Sequence, residues 1–130
     1  AKTLINRFNS LVVIDTMHAN GAYTIGENIA DLGGLNIAYS AFTRTKQWHN
    51  QSQLIDGFTP DQRFFISYAR IWGELIRDEA IREHTQTDPH ALGPYRVEGP
   101  LPSIDPFIKA FDVKPGNRYY IADSLKSKIW

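Results

Sequence analysis

Glu27 and Asp31 stand four residues apart, a spacing that sets two carboxylates on the same side of a helix. In the first turns of that helix both anions are favoured by the partial positive charge of its N-terminus. Their mutual repulsion costs roughly a few tenths of a kcal/mol unless a cation or a donor sits beside them. Such a pair can serve a metal ion. Glu27 also follows Thr24 by three residues, the capping-box spacing, and Asp31 alone reads as a solvated charge. A second group, Asp88, His90 and Arg96, lies in a stretch rich in proline. An aspartate beside a histidine orients the ring and favours its imidazolium form, and with an arginine nearby the set could bind an oxyanion and a carbonyl. Loop structure accounts for the same residues, with Asp88 in an Asx-turn and Arg96 paired locally. His18, His49 and His84 are scattered, and a metal site from His84 and His90 matches no zinc spacing. There is no glycine-rich phosphate loop, nucleophile elbow or His-Glu-x-x-His motif.

The elements that must position these groups read as mainly helical, with little sheet. Leu4, Ile5 and Phe8 have helical spacing. Leu11-Val12-Val13-Ile14 is short and β-branched, and suits a buried strand or an extended segment. Ile25, Ile29, Leu32, Leu35, Tyr39 and Phe42 recur every three or four residues and predict a helix from about Thr24 to about Trp48. Gly33-Gly34 inside it costs roughly 1 kcal/mol per glycine. Because the stripe continues in phase beyond it, close packing is favoured over a break. Asn50 to Phe58 reads as a loop. Thr59-Pro60 opens a second helix as N-cap and first helical residue, with a wide apolar face and an end near Gln86. Asp88 to Arg96 then reads as a loop, Ser103 as the cap of a short helix through Phe111, and Ile129-Trp130 as a docked apolar end.

The chain has 130 residues, enough for one domain with a real core. With 42% hydrophobic and 22% charged residues it is not a disordered chain. Fourteen basic and fourteen acidic residues cancel, which removes the electrostatic footprint of a nucleic-acid or anionic-membrane binder. No apolar run is long enough to span a bilayer. Zero cysteines exclude disulfides, thiolate nucleophiles and cysteine zinc sites. The N-terminus carries neither a methionine nor a signal-peptide core, and reads as a cut or processed end.

One string is more specific than any of these patterns. Asn20-Gly21-Ala22-Tyr23-Thr24-Ile25-Gly26-Glu27-Asn28-Ile29-Ala30-Asp31-Leu32-Gly33-Gly34 resembles the signature of the neprilysin family of zinc metallopeptidases. The resemblance continues through Phe64-Phe65-Ile66-Ser67-Tyr68-Ala69-Arg70-Ile71-Trp72, through Asp88 to Arg96, and to the terminal Trp130. It implies the helical C-terminal segment of a zincin-type catalytic domain over residues 1–130.

The resemblance assigns roles by position. It implies that Glu27 is the third zinc ligand and that Asp31 orients a zinc-binding histidine. It implies that His90, with Asp88 beside it, stabilises the tetrahedral transition state, and that Arg96 binds a substrate backbone carbonyl. The two histidine ligands and the general-base glutamate of the family precede Glu27 and are absent. A complete zinc site needs three protein ligands, so the chain alone is expected to lack zinc and activity. Its expected partners are peptide substrates and the missing N-terminal portion of the same enzyme, with self-association of the isolated chain through the Pro60 helix. The lack of cysteine points to a bacterial-type member, periplasmic or secreted. The competing reading is a stand-alone, non-catalytic helical binding module derived from a peptidase.

Overall fold

The helical spacing of Leu4 and Phe8 is realised in α1 (Lys2–Asn9), the first of seven α-helices in a computed structural model that describes residues 1–129. Both side chains are fully buried. The apolar run after α1 is a strand, but not a buried one. In β1 (Val12–Ile14) Val12 is 51% exposed, and Leu11, just ahead of the strand, is the residue that reaches the core. β1 pairs antiparallel with β2 (Met17–His18), with Val12 opposite His18 and Ile14 opposite Met17. The sheet ends there among the described residues, which leaves one face open to water.

The stripe from Ile25 to Phe42 forms α2 (Ile25–Phe42), with Thr24 as N-cap. It runs unbroken through Gly33-Gly34. Gly33 is buried, whereas the place of a Cβ on Gly34 is open space, so only the first glycine fits the close-packing expectation. The helix stops six residues short of Trp48 because threonines compete for its last carbonyls. The Thr43 hydroxyl donates to the Ser40 carbonyl at 2.8 Å, and the Thr45 hydroxyl to the Phe42 carbonyl at 2.7 Å. Thr45 then caps α3 (Lys46–His49), accepting from the Trp48 amide.

Thr59 and Gln62 form a full capping box on α4 (Pro60–Ile71), with Pro60 in the first turn. This helix also ends early, at Ile71 rather than near Gln86. Trp72 and Gly73 leave helical geometry, a non-helical link follows, and α5 (Asp78–Thr87) starts afresh. The expected Asp88–Arg96 loop is in part helix. Gly93-Pro94 opens α6 (Gly93–Glu98), since proline suits the first helical turn, where its missing N–H costs nothing. After a 3-10 turn, α7 spans Asp105–Ala110 with no side-chain cap. Ser103 does not cap it: its hydroxyl accepts from the Ser127 amide at 3.0 Å and ties down the C-terminal segment. Ile129 packs on the core; Trp130 lies outside the described residues.

The core joins α1, α2, α4, α6 and α7 through Phe8, Leu32, Leu35, Phe65, Val97, Ile104 and Phe107. Phe65 is central, stacked 5.4 Å from Tyr39 and edge-on 5.5 Å from Phe107. Burial of such a ring contributes about 2–3 kcal/mol. The packing places the N-terminal turns of α2, the end of α5 and the middle of α6 side by side.

Candidate functional site

Glu27 occupies the first turn of α2 and Asp31 the next. The capping box expected between Thr24 and Glu27 is not formed. Thr24 instead donates its hydroxyl to the Asn20 carbonyl at 2.9 Å and accepts from the Asn28 side-chain amide at 2.8 Å. The Glu27 carboxylate is therefore left for other partners.

Asp31 is not a solvated charge. Its two oxygens accept from Nε and Nη2 of Arg96, both at 2.7 Å. The side chains are 12% and 18% exposed. This is the bidentate fork that suits guanidinium and carboxylate best. It holds the Arg96 pKa above its ordinary value.

The backbone of Arg96 is fixed as firmly as its head group. The Tyr68 hydroxyl donates to the Arg96 carbonyl at 2.8 Å, and the guanidinium lies 3.9 Å over the Trp72 ring. The N-terminus of α6 is anchored where the Gly93 amide donates to the Glu74 carboxylate at 2.7 Å. Gly93 is required there, because a Cβ would lie 2.5 Å from the Trp72 carbonyl oxygen.

His90 shows that the two readings of the Asp88–His90 pair describe one contact. Asp88 Oδ1 accepts the His90 backbone amide at 2.8 Å, which is the Asx-turn, and the ring Nδ1 at 2.8 Å, which sets the imidazole. A carboxylate only accepts, so Nδ1 carries a hydrogen. The backbone donor first, and the ring donor second, hold the Asp88 carboxyl below the usual carboxylate range. The other ring nitrogen, Nε2, lies 3.3 Å from Glu27 Oε2, with both side chains 43% exposed. The i, i+4 repulsion of Glu27 and Asp31 is thus relieved from two sides, by His90 and by Arg96.

The packing therefore brings together all five residues singled out by spacing: Glu27, Asp31, Asp88, His90 and Arg96. Two others were missed. His84, dismissed as scattered, places Nε2 3.0 Å from the His90 carbonyl and Nδ1 3.8 Å from Asp88 Oδ2. Its i, i+4 spacing to Asp88 at a helix end was the available signal. Tyr23 donates its hydroxyl to the Thr87 carbonyl at 3.0 Å, a contact across 64 residues that no local pattern announces. His18 sits elsewhere, with Nδ1 2.9 Å from the Asn9 carbonyl.

Chemically, the site is an open carboxylate flanked by an oriented imidazole and a braced guanidinium. The latter two can bind an oxygen that gains negative charge. The carboxylate suits one coordination position of a cation. Among the described residues no three histidine, aspartate or glutamate side chains come together as a metal cage. His84 and His90 each hydrogen-bond a neighbour through one ring nitrogen.

Comparison with known proteins places this geometry in context. The model of Peptidase family M13 matches residues 1–126. The chain is 39% identical to an endothelin-converting enzyme homolog of Locusta migratoria over 90% of its length, and 38% identical to neprilysin-2 of Caenorhabditis elegans over all of it. It spans 16% and 18% of those two proteins, respectively. Among solved structures, the zinc metalloprotease Zmp1 of Mycobacterium tuberculosis in its open state superposes with a TM-score of 0.85 at 36% identity. That superposition covers 99% of this chain and 21% of the other.

Proposed function

This chain belongs to peptidase family M13, the neprilysin family of zinc metallopeptidases, and from that premise we propose that it is the segment supplying one zinc-binding carboxylate and the transition-state-binding side of a peptide-hydrolysing site. Glu27 is the proposed ligand. The donor set fits that limited part: a half-exposed carboxylate at a helix N-terminus, left uncapped by Thr24 and facing His90 at 3.3 Å. It does not fit a complete site, because three protein ligands are needed and the described residues assemble no such group. The remaining ligands are proposed to come from polypeptide outside these residues, and this chain by itself is proposed to be inactive. When bound, zinc polarises a carbonyl and lowers the pKa of its water.

The rest of the reading concerns this chain's own residues. His90, oriented by Asp88, points Nε2 to the same open side as Glu27, where a donor can meet the oxygen of a tetrahedral adduct. Arg96 presents a guanidinium whose position is set by Asp31, Trp72 and the α6 backbone, and it serves to hold a backbone carbonyl of a bound oligopeptide. Asp31 has the further proposed part of orienting a histidine ligand, since a carboxylate that accepts twice from Arg96 retains lone pairs for a third donor. No helix among the described residues is long and apolar enough to cross a membrane, and a periplasmic or secreted setting is proposed from the family resemblance. The isolated chain is proposed to self-associate through the Pro60 helix, α4, where the structure leaves only Ile71 of the apolar face largely exposed, next to Ile55 and Phe58 of the preceding loop.

The observation that carries the reading is the approach of Glu27 to His90. It is tested in the full-length polypeptide by Glu27→Gln. Zinc content and peptide hydrolysis should both be lost; retention of the two together would remove Glu27 from the site.

A further inference from the structure

The turn from Thr87 to His90 is tied to itself by local contacts. Asp88 fixes the His90 amide and ring, but these bonds span two residues and set the imidazole only relative to the turn. They do not set the turn relative to Glu27. That task falls to contacts made by the backbone of the turn, and the one at His90 itself comes from His84 in the last turns of α5. The His90 carbonyl oxygen can only accept, so His84 Nε2, 3.0 Å away, carries the hydrogen and donates it. We propose that His84 is a positioning residue, which holds the His90 main chain against α5 and so keeps the His90 ring beside Glu27. This inference rests on the reading of His90 as a transition-state-binding group.

Other contacts place α5 and the His84 ring beside the turn. α5 meets the β1–β2 turn through an exposed ion pair between Arg82 and Asp15. The Thr85 hydroxyl donates back to the Ile81 carbonyl at 2.8 Å. The His84 ring lies in a narrow crevice with Asn20, Thr24, Ala91 and Leu92, between the start of α2 and the start of α6. One imidazole thus connects α5 to the turn that carries His90. Without its donor the His90 carbonyl is left facing a partly buried crevice, and the turn has no tether to α5 at that residue.

The test uses the full-length polypeptide and three variants. His84→Gln keeps an N–H donor at about the same reach, His84→Phe keeps the ring without the donor, and His84→Ala removes both. In the Ala and Phe variants kcat should fall by about 10- to 100-fold, the order expected when a reacting group is misplaced by roughly 1 Å, with KM and zinc content unchanged. Gln should stay within about threefold of the parent, since it retains the hydrogen bond. Hydrogen exchange of the 85–92 segment should speed up in Ala and Phe but not in Gln. A Phe variant equal to the parent in kcat and exchange overturns the proposal in favour of packing, and an Ala variant with unchanged exchange overturns it outright. If the parent neither binds zinc nor cleaves peptides, the peptidase reading fails by itself, while the exchange measurement still decides whether His84 is the clamp.

Discussion

Replacing Asp31 by Asn tests the central ion pair of the site. The substitution keeps the shape of the side chain but turns one acceptor oxygen into an N–H2 group facing the Arg96 fork, so one of the two 2.7 Å bonds is lost and the charge with it. Breaking a fully buried pair by removing one partner costs about 3–5 kcal/mol, because the other charge stays buried and unpaired. Here residual exposure of 12% and 18% lets water return part of that, so about 2–3 kcal/mol is expected. Taking a urea slope of about 2 kcal/mol/M for a domain of this size, the denaturation midpoint should move down by about 1–1.5 M. Urea titration at fixed protein concentration measures it, and tryptophan emission is a suitable signal because Trp72 lies under the guanidinium. The double replacement Asp31→Leu with Arg96→Met should recover most of the loss, since two apolar groups leave no orphaned charge. A midpoint shift below about 0.3 M in Asp31→Asn, or strictly additive losses in the double variant, would refute the claim that these side chains stabilise each other.

In the full-length polypeptide His90→Ala should lower turnover by roughly two to three orders of magnitude, the effect of removing one oxyanion donor, while zinc stays bound; steady-state kinetics with metal analysis decides, and near-normal turnover returns His90 to a loop role. Tyr68 and Tyr39 are each pushed up to about 12, first by burial and then by Asp31 and Asp61 respectively. A raised folded pKa means that the stability they confer is complete below the unfolded value of about 10 and is lost as pH rises toward 12. Absorbance titration should therefore show these two ionising last, together with unfolding, and a Tyr68→Phe, Tyr39→Phe pair should remove that late step. Gly93→Ala forces a methyl to 2.5 Å from the Trp72 carbonyl; it should destabilise by about 1–3 kcal/mol, and an unchanged thermal midpoint would contradict the close approach.

Much of the fold was legible because the signals that write it are short in range. The stripe of α2, the N-cap at Thr59 and the proline in the first turn of α4 each depend on residues within four positions of one another. The same holds for Glu27 and Asp31 sharing a helix side, and for the Asp88–His90 turn. The helix ends were misjudged where weaker local competitors prevailed: threonine hydroxyls claimed the last carbonyls of α2, and Gly73 interrupted a stripe that otherwise ran on. The peptidase likeness came from the word-like motif around Glu27, not from any of this physics.

Which groups meet was decided by tertiary packing alone. Asp31 and Arg96 are 65 residues apart, Tyr23 and Thr87 are 64 apart, and Glu27 on α2 reaches His90 in the turn after α5. A side chain's chemical type shows what it can bind, and its local spacing shows which face it shares, but neither states how helices cross. That depends on how Phe65, Leu32 and Val97 fill one core. Packing of those side chains is what turned two plausible surface charges into a braced pair and a scattered histidine into a clamp.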